Sequence, residues 1–119
     1  VDQMSIKEIG EELKKTSKLC RELKIDKKEF FGGSMTISSL GGIGGTFFTP
    51  IINPPEVAIL GVGKSFERLT KLKNKIISRK ILPISLSYDH RIIDGAEGAK
   101  FCVYLGKCLG KDFAFKLAV

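Results

Sequence analysis

The run Val57-Ala58-Ile59-Leu60 contains no polar residue and sits between Pro54-Pro55-Glu56 and Gly61. Such a run suits a strand buried on both faces, so other parts of the fold must cover it above and below. Ile76 to Ser87 alternates in character and is expected to be its antiparallel neighbour, reached across a turn at Lys71 to Lys75. Pro83 has no N–H to give a ladder and must then fall at a bulge or an edge. Met35 to Ser38 reads as a further strand that enters the glycine-rich stretch Gly41 to Gly45. Glycine permits turns and close approaches that a side chain would block, so this stretch reads as an irregular loop or as a wall of a substrate tunnel.

Helical spacing appears twice. Ser5-Ile6-Lys7-Glu8 fits a capping box, and Ile6, Ile9, Leu13, Cys20 and Leu23 recur at three, four or seven residues, which predicts an amphipathic helix from about Ser5 to Leu23. After the Asp94-Gly95 turn, Ala99, Cys102, Val103, Leu105 and Leu109 predict a second helix from Ala96 to Lys111.

With 119 residues, 43% of them apolar and 28% charged, the chain has the composition of one soluble globular domain. No apolar run approaches the roughly 20 residues that span a bilayer, and Val1-Asp2-Gln3-Met4 does not open a secretory signal. The expectation is no membrane association and a cytosolic or organelle-matrix setting. Cys20, Cys102 and Cys108 are odd in number, form no C-x-x-C pair and have one histidine among them all, so neither a disulfide scaffold nor a metal site is expected. They read as small core residues. The formal charge of +7 favours an anionic partner without choosing one. Lys71, Lys73, Lys75, Arg79 and Lys80 cluster without interleaved aromatics, which fits a solvated hairpin tip better than a nucleic-acid surface. Gly41 to Gly45 lacks both the dinucleotide fingerprint and the P-loop lysine.

The single histidine, His90, lies four residues ahead of Asp94-Gly95, which places one base and one carboxylate at a sharp bend. Histidine titrates near 6.5 and a thiol near 8.5, so this arrangement suits thiol chemistry near neutral pH. A lone histidine is also compatible with a purely structural place in the fold.

The surrounding residues are more specific. Leu82 to Gly98, LPISLSYDHRIIDGAEG, resembles the active-site signature of the dihydrolipoamide acyltransferases, the core enzymes of the 2-oxoacid dehydrogenase complexes. The resemblance extends through Ser34-Met35-Thr36-Ile37-Ser38-Ser39-Leu40-Gly41-Gly42-Ile43-Gly44-Gly45, then Thr49 to Asn53 and Pro55 to Val62, in the family's order and spacing. A bare H-x-x-x-D-G also occurs in chloramphenicol acetyltransferases and condensation domains, and the flanking blocks distinguish this chain from them.

That resemblance implies a two-layer α/β sandwich of the chloramphenicol acetyltransferase-like type, a mixed sheet with helices on one face, present here only in part. Residues 1–119 would form the C-terminal portion of one catalytic domain, with the lipoyl and peripheral-subunit-binding domains absent. The implied reaction moves an acyl group, acetyl by preference and branched-chain acyl as the alternative, between S-acyl-dihydrolipoamide and coenzyme A. Coenzyme A is thus a substrate, the lipoyl group belongs to a domain outside this chain, and no metal is implied. His90 would deprotonate the thiol, Ser38 would donate its hydroxyl to the oxyanion, and Asp94 would be the second signature residue, orienting the loop. A serine-nucleophile hydrolase using Ser38 is the competing assignment, but the usual nucleophile elbow is missing. Ser39 is implied to be structural, and Asp89 with Arg91 an ion-paired brace. The resemblance also implies homotrimers whose sites take His90 and Ser38 from different chains, a higher cubic or dodecahedral core, and 2-oxoacid dehydrogenase and dihydrolipoamide dehydrogenase partners. The apolar segment Phe113 to Val119 would anchor one trimer to another, or else fold back on its own subunit. A catalytically incomplete assembly fragment is the alternative function.

Overall fold

The computed structural model describes residues 1–110 and Phe113, so the segment assigned to trimer docking lies, apart from Phe113, outside the described residues. The chain divides into two compact units, one containing Val1–Gly33 and the other Ser34–Lys107.

In the first unit, helix α1 spans Ile6–Arg21. The expected capping box is present: Glu8 N–H donates to Ser5 Oγ at 3.3 Å, and Ser5 N–H donates to Glu8 Oε2 at 2.7 Å. Two of the donors that a helix N-terminus leaves without backbone partners are thereby satisfied. Leu23, at φ 55°, turns the chain out of the helix, with Lys24 N–H donating to Leu19 O at 2.9 Å. No residue of α1 is buried. A short 3-10 turn, Lys27–Phe30, follows and is capped by Asp26, whose Oδ1 accepts from Lys28 N–H.

The second unit is built on a mixed sheet of three strands, β1 (Thr36–Ser39), β2 (Ala58–Val62) and β5 (Ile84–Tyr88), in the order β1-β2-β5. β1 runs parallel to β2, and β5 runs antiparallel to it. The apolar run forms most of the central strand, and Ala58, Ile59 and Leu60 are the buried apolar residues among those described. The register divides the side chains between two faces. Ala58, Leu60 and Val62 share one face with Leu86 and Tyr88, and helix α2 (Gly95–Cys108) covers it, leaving a cavity of about 360 Å³ lined by Ala58, Leu86, Ile93 and Phe101. Ile59, Gly61, Ser85, Ser87 and Ser38 share the other face. There Phe48 packs on Gly61 so closely that a Cβ at position 61 would lie 2.9 Å from the ring.

The remaining strands correct one expectation. Ile76 to Ser87 is not a single strand beside β2. Lys75–Ile81 is β4 and pairs with β3 (Phe66–Leu72) in a separate two-stranded ribbon, while only Ile84–Tyr88 joins β2. The break falls at Leu82-Pro83, because a proline cannot continue the ladder; its carbonyl instead accepts from Gly63 N–H at 3.0 Å. Pairing of Leu72 with Lys75 leaves Lys73-Asn74 as a two-residue turn, so the lysines do surround a hairpin tip, but that of β3 and β4. Cys20, Cys102 and Cys108 are free and only half-buried, not core residues, because both helices lie at a surface. Gly41 to Gly45 is an irregular loop, with Gly44 and Gly45 at φ 144° and 85°.

Burial decides what a truncation costs. Leu60→Ala should lower stability by about 2–5 kcal/mol in chemical denaturation, whereas Leu69→Ala, at a side chain 73% exposed on the ribbon, should stay within about 0.5 kcal/mol.

Candidate active site

The geometry at His90 begins with how β5 ends. Asp89 N–H donates to Val57 O at 2.8 Å, the last bond of the ladder, and Asp89 O then accepts from both Ile92 and Ile93 N–H at 3.0 Å. This closes a tight turn that carries His90 at its exposed crest. Asp89 also fixes the turn through its side chain. Its Oδ1 accepts from Arg91 N–H at 3.0 Å and from Arg91 Nε at 2.9 Å, and its Oδ2 accepts from Arg91 Nη2 at 2.6 Å. The expected brace is therefore a bidentate ion pair straddling the histidine. Hydrogen bonds from the Arg91 side chain, then from its backbone, hold the Asp89 carboxyl down at about 2.

Asp94 lies at the other end of the turn. Its Oδ1 accepts from Glu97 N–H at 2.8 Å and its carbonyl accepts from Gly98 N–H at 3.1 Å, so it is the N-cap of α2. Asparagine could accept the same bond. His90 opens onto a cleft of about 570 Å³ whose walls include Pro54, Glu56, Tyr88, Asp89 and Arg91. Glu56 accepts a 2.6 Å hydrogen bond from Thr36 Oγ1, which ties the cleft-lining loop to the start of β1. Sequence reasoning missed Glu56 and Tyr88 as site residues. The signal available for Tyr88 was its place two residues before the histidine, on the face that α2 must cover.

Ser38 is half-buried in β1, and the structure does not bring it to His90. It pairs with Gly61, and Gly61 pairs with Ser85. Tyr88 lies three residues further along β5 and His90 lies beyond it, so at ~3.4 Å per residue and ~4.8 Å per strand step the two side chains start more than about 14 Å apart. Ser38 also points to the face away from α2, while Tyr88 faces α2. A base and an oxyanion donor must both come within about 3 Å of the reacting atoms, so Ser38 and His90 of one chain cannot serve the same carbonyl. No cluster of three or more metal-ligating side chains occurs among the described residues, and none of their helices is long and apolar enough to cross a membrane.

The Asp89 carboxyl titrates lower in the folded chain than in the unfolded one, so the brace is at full strength above about 4 and is lost as pH falls through about 2. Carboxyl-detected NMR should place the Asp89 midpoint near 2, and Arg91→Ala should return it to the ordinary aspartate range.

Residues 1–114 match the family described as 2-oxoacid dehydrogenases acyltransferase (catalytic domain). The dihydrolipoyllysine-residue acetyltransferase component of the pyruvate dehydrogenase complex from Cupriavidus necator is 49% identical over 112 residues, which is 94% of this chain and 20% of that protein. The same component from Haemophilus influenzae is 52% identical over 109 residues, 92% of this chain and 19% of that one. A structure addressing the role of a serine, a histidine and an asparagine in catalysis by Azotobacter vinelandii dihydrolipoamide acetyltransferase superposes with a TM-score of 0.89 at 43% identity, covering 99% of this chain and 48% of that one. The cubic core of a pyruvate dehydrogenase multienzyme complex gives 0.89 at 42% identity, with the same coverage. The chain thus spans about a fifth of the curated relatives and about half of the solved chains. A mixed sheet with α2 across it, a turn carrying His90, and a match over 114 residues agree: the chain belongs to the acyltransferase family of the 2-oxoacid dehydrogenases and comprises part of its catalytic domain.

Proposed function

We propose that residues 1–119 are the C-terminal portion of a catalytic domain that transfers an acyl group, acetyl by preference, between S-acyl-dihydrolipoamide and coenzyme A. The observation that carries this reading is spacing. In the Azotobacter vinelandii enzyme the serine precedes the histidine by 52 positions and the asparagine follows it by four. Ser38, His90 and Asp94 repeat those intervals.

His90 takes the proton from the attacking thiol. The ordinary pKa values of imidazole and thiol differ by about two units, so this transfer costs about 2.7 kcal/mol before positioning helps it. The thiolate adds to the thioester carbonyl, and the Ser38 hydroxyl of a neighbouring copy donates to the oxyanion, an interaction typically worth about 2.7–4 kcal/mol of barrier. Collapse of the adduct expels the other thiolate, which recovers the proton from His90. Asp94 acts on neither reactant; it caps α2 and so sets the far end of the His90 turn, a role that tolerates asparagine. The separation of Ser38 from His90 within one chain supports a site completed between copies. A homotrimer within a larger cubic or dodecahedral core, working with 2-oxoacid dehydrogenase and dihydrolipoamide dehydrogenase subunits, is the assembly proposed, in the cytoplasm of a bacterium. The lipoyl group reaches it on a separate domain.

In the assembled enzyme, His90→Ala should abolish most transfer and remove the group titrating near neutrality from the pH–rate profile while leaving the oligomer intact. Ser38→Ala should lower kcat by about two to three orders of magnitude with KM for coenzyme A little changed. Near-normal turnover in His90→Ala, or a trapped acyl-serine, would overturn these roles.

A further inference from the structure

Gly98 occupies the first turn of α2 and is its one buried residue. A Cβ there would lie 2.8 Å from Tyr88 Cε1 and 3.1 Å from Cζ, closer than carbon atoms pack. Only glycine therefore lets the Tyr88 ring lie directly on the helix backbone. The same ring lies beside His90, with centroids 5.7 Å apart and planes inclined by 34°. The Tyr88 hydroxyl and His90 Nε2 converge on Gly95 as well, 3.8 and 3.9 Å from the point where its Cβ would stand. Tyr88 thus stands against both α2 and the imidazole.

The histidine needs such a wall. It is exposed on a turn, and the Asp89–Arg91 pair fixes the turn's backbone without reaching the ring. Two free torsions would let an exposed imidazole sample several rotamers, while proton transfer requires it within hydrogen-bond reach of one thiol. We infer that Tyr88 is the positioning residue for His90 and that Gly98 exists to seat the Tyr88 ring. The inference rests on His90 being the base, and its geometric part is readable without any turnover.

Because His90 is the only histidine, its imidazole C–H signals are unambiguous in NMR of the 119-residue chain. Contacts from Tyr88 ring protons to His90 Hε1 or Hδ2 are expected, together with a ring-current displacement of those signals. Gly98→Ala should abolish the contacts and move the signals, whereas Gly106→Ala, where a Cβ meets nothing within 4 Å, should leave both in place. Tyr88→Phe should preserve the displacement, and Tyr88→Leu should remove it. Phe101→Ala, a cavity variant on the same helix, separates positioning from general loosening: it should lower the melting temperature without moving the His90 signals. In the assembled enzyme Tyr88→Leu should reduce kcat by up to about 10²-fold with KM unchanged. Unmoved His90 signals in folded Gly98→Ala, or in Tyr88→Leu should Gly98→Ala fail to fold, would overturn the inference. Moved signals in Tyr88→Leu with undiminished kcat would overturn its catalytic part, and His90→Ala independently tests whether His90 is the base.

Discussion

The pairing register of β2 with its two neighbours is the constraint on which the candidate site depends. Because β1 runs parallel and β5 antiparallel to the same central strand, the serine of β1 lies level with Ser85 near the start of β5, and the histidine that follows β5 lies past the opposite end. A slip of one residue in β5 would turn Leu86 away from α2 and bring Ser87 towards it, setting a polar side chain against the apolar face. The apolar central strand thus fixes more than a core. It fixes the separation of two groups that the proposed chemistry needs together, and that chemistry therefore calls for a second copy at the site.

Local electrostatics then give the His90 turn its shape. Asp89 closes the strand ladder, accepts both return bonds of the turn and grips Arg91, while Asp94 caps the helix that follows. Each carboxylate accepts from a backbone N–H of its own turn, Asp89 from Arg91 and Asp94 from Glu97. In the proposed chemistry the acidic residues define where the chain goes, and the imidazole between them moves the proton.

Much of this was legible in the sequence. The capping box Ser5–Glu8, the buried strand at Ala58–Leu60 and the helix after Asp94 all follow from local patterns that their own residues satisfy. The turn at His90 was legible for the same reason, since Asp89, Arg91 and Asp94 act within three residues of their partners. What was misread depended on distant partners. Ile76 to Ser87 alternates throughout, so periodicity gives no sign that its first half pairs with Phe66–Leu72 and its second with β2; Pro83 was the one mark of the division. The seating of Tyr88 on Gly98 was hidden too, because a glycine in a helix announces only tolerance until the ring that needs it is in view.

The central claim is that one copy supplies His90 and another supplies Ser38, and co-expression of Ser38→Ala chains with His90→Ala chains tests it most directly. Each variant alone should be almost inactive. With random assortment at equal amounts, about a quarter of the sites would unite an intact Ser38 with an intact His90 from different chains. Acyl transfer near that fraction of the wild-type rate is the predicted result. A mixture no more active than either variant alone, with mixed oligomers demonstrably formed, would contradict the account.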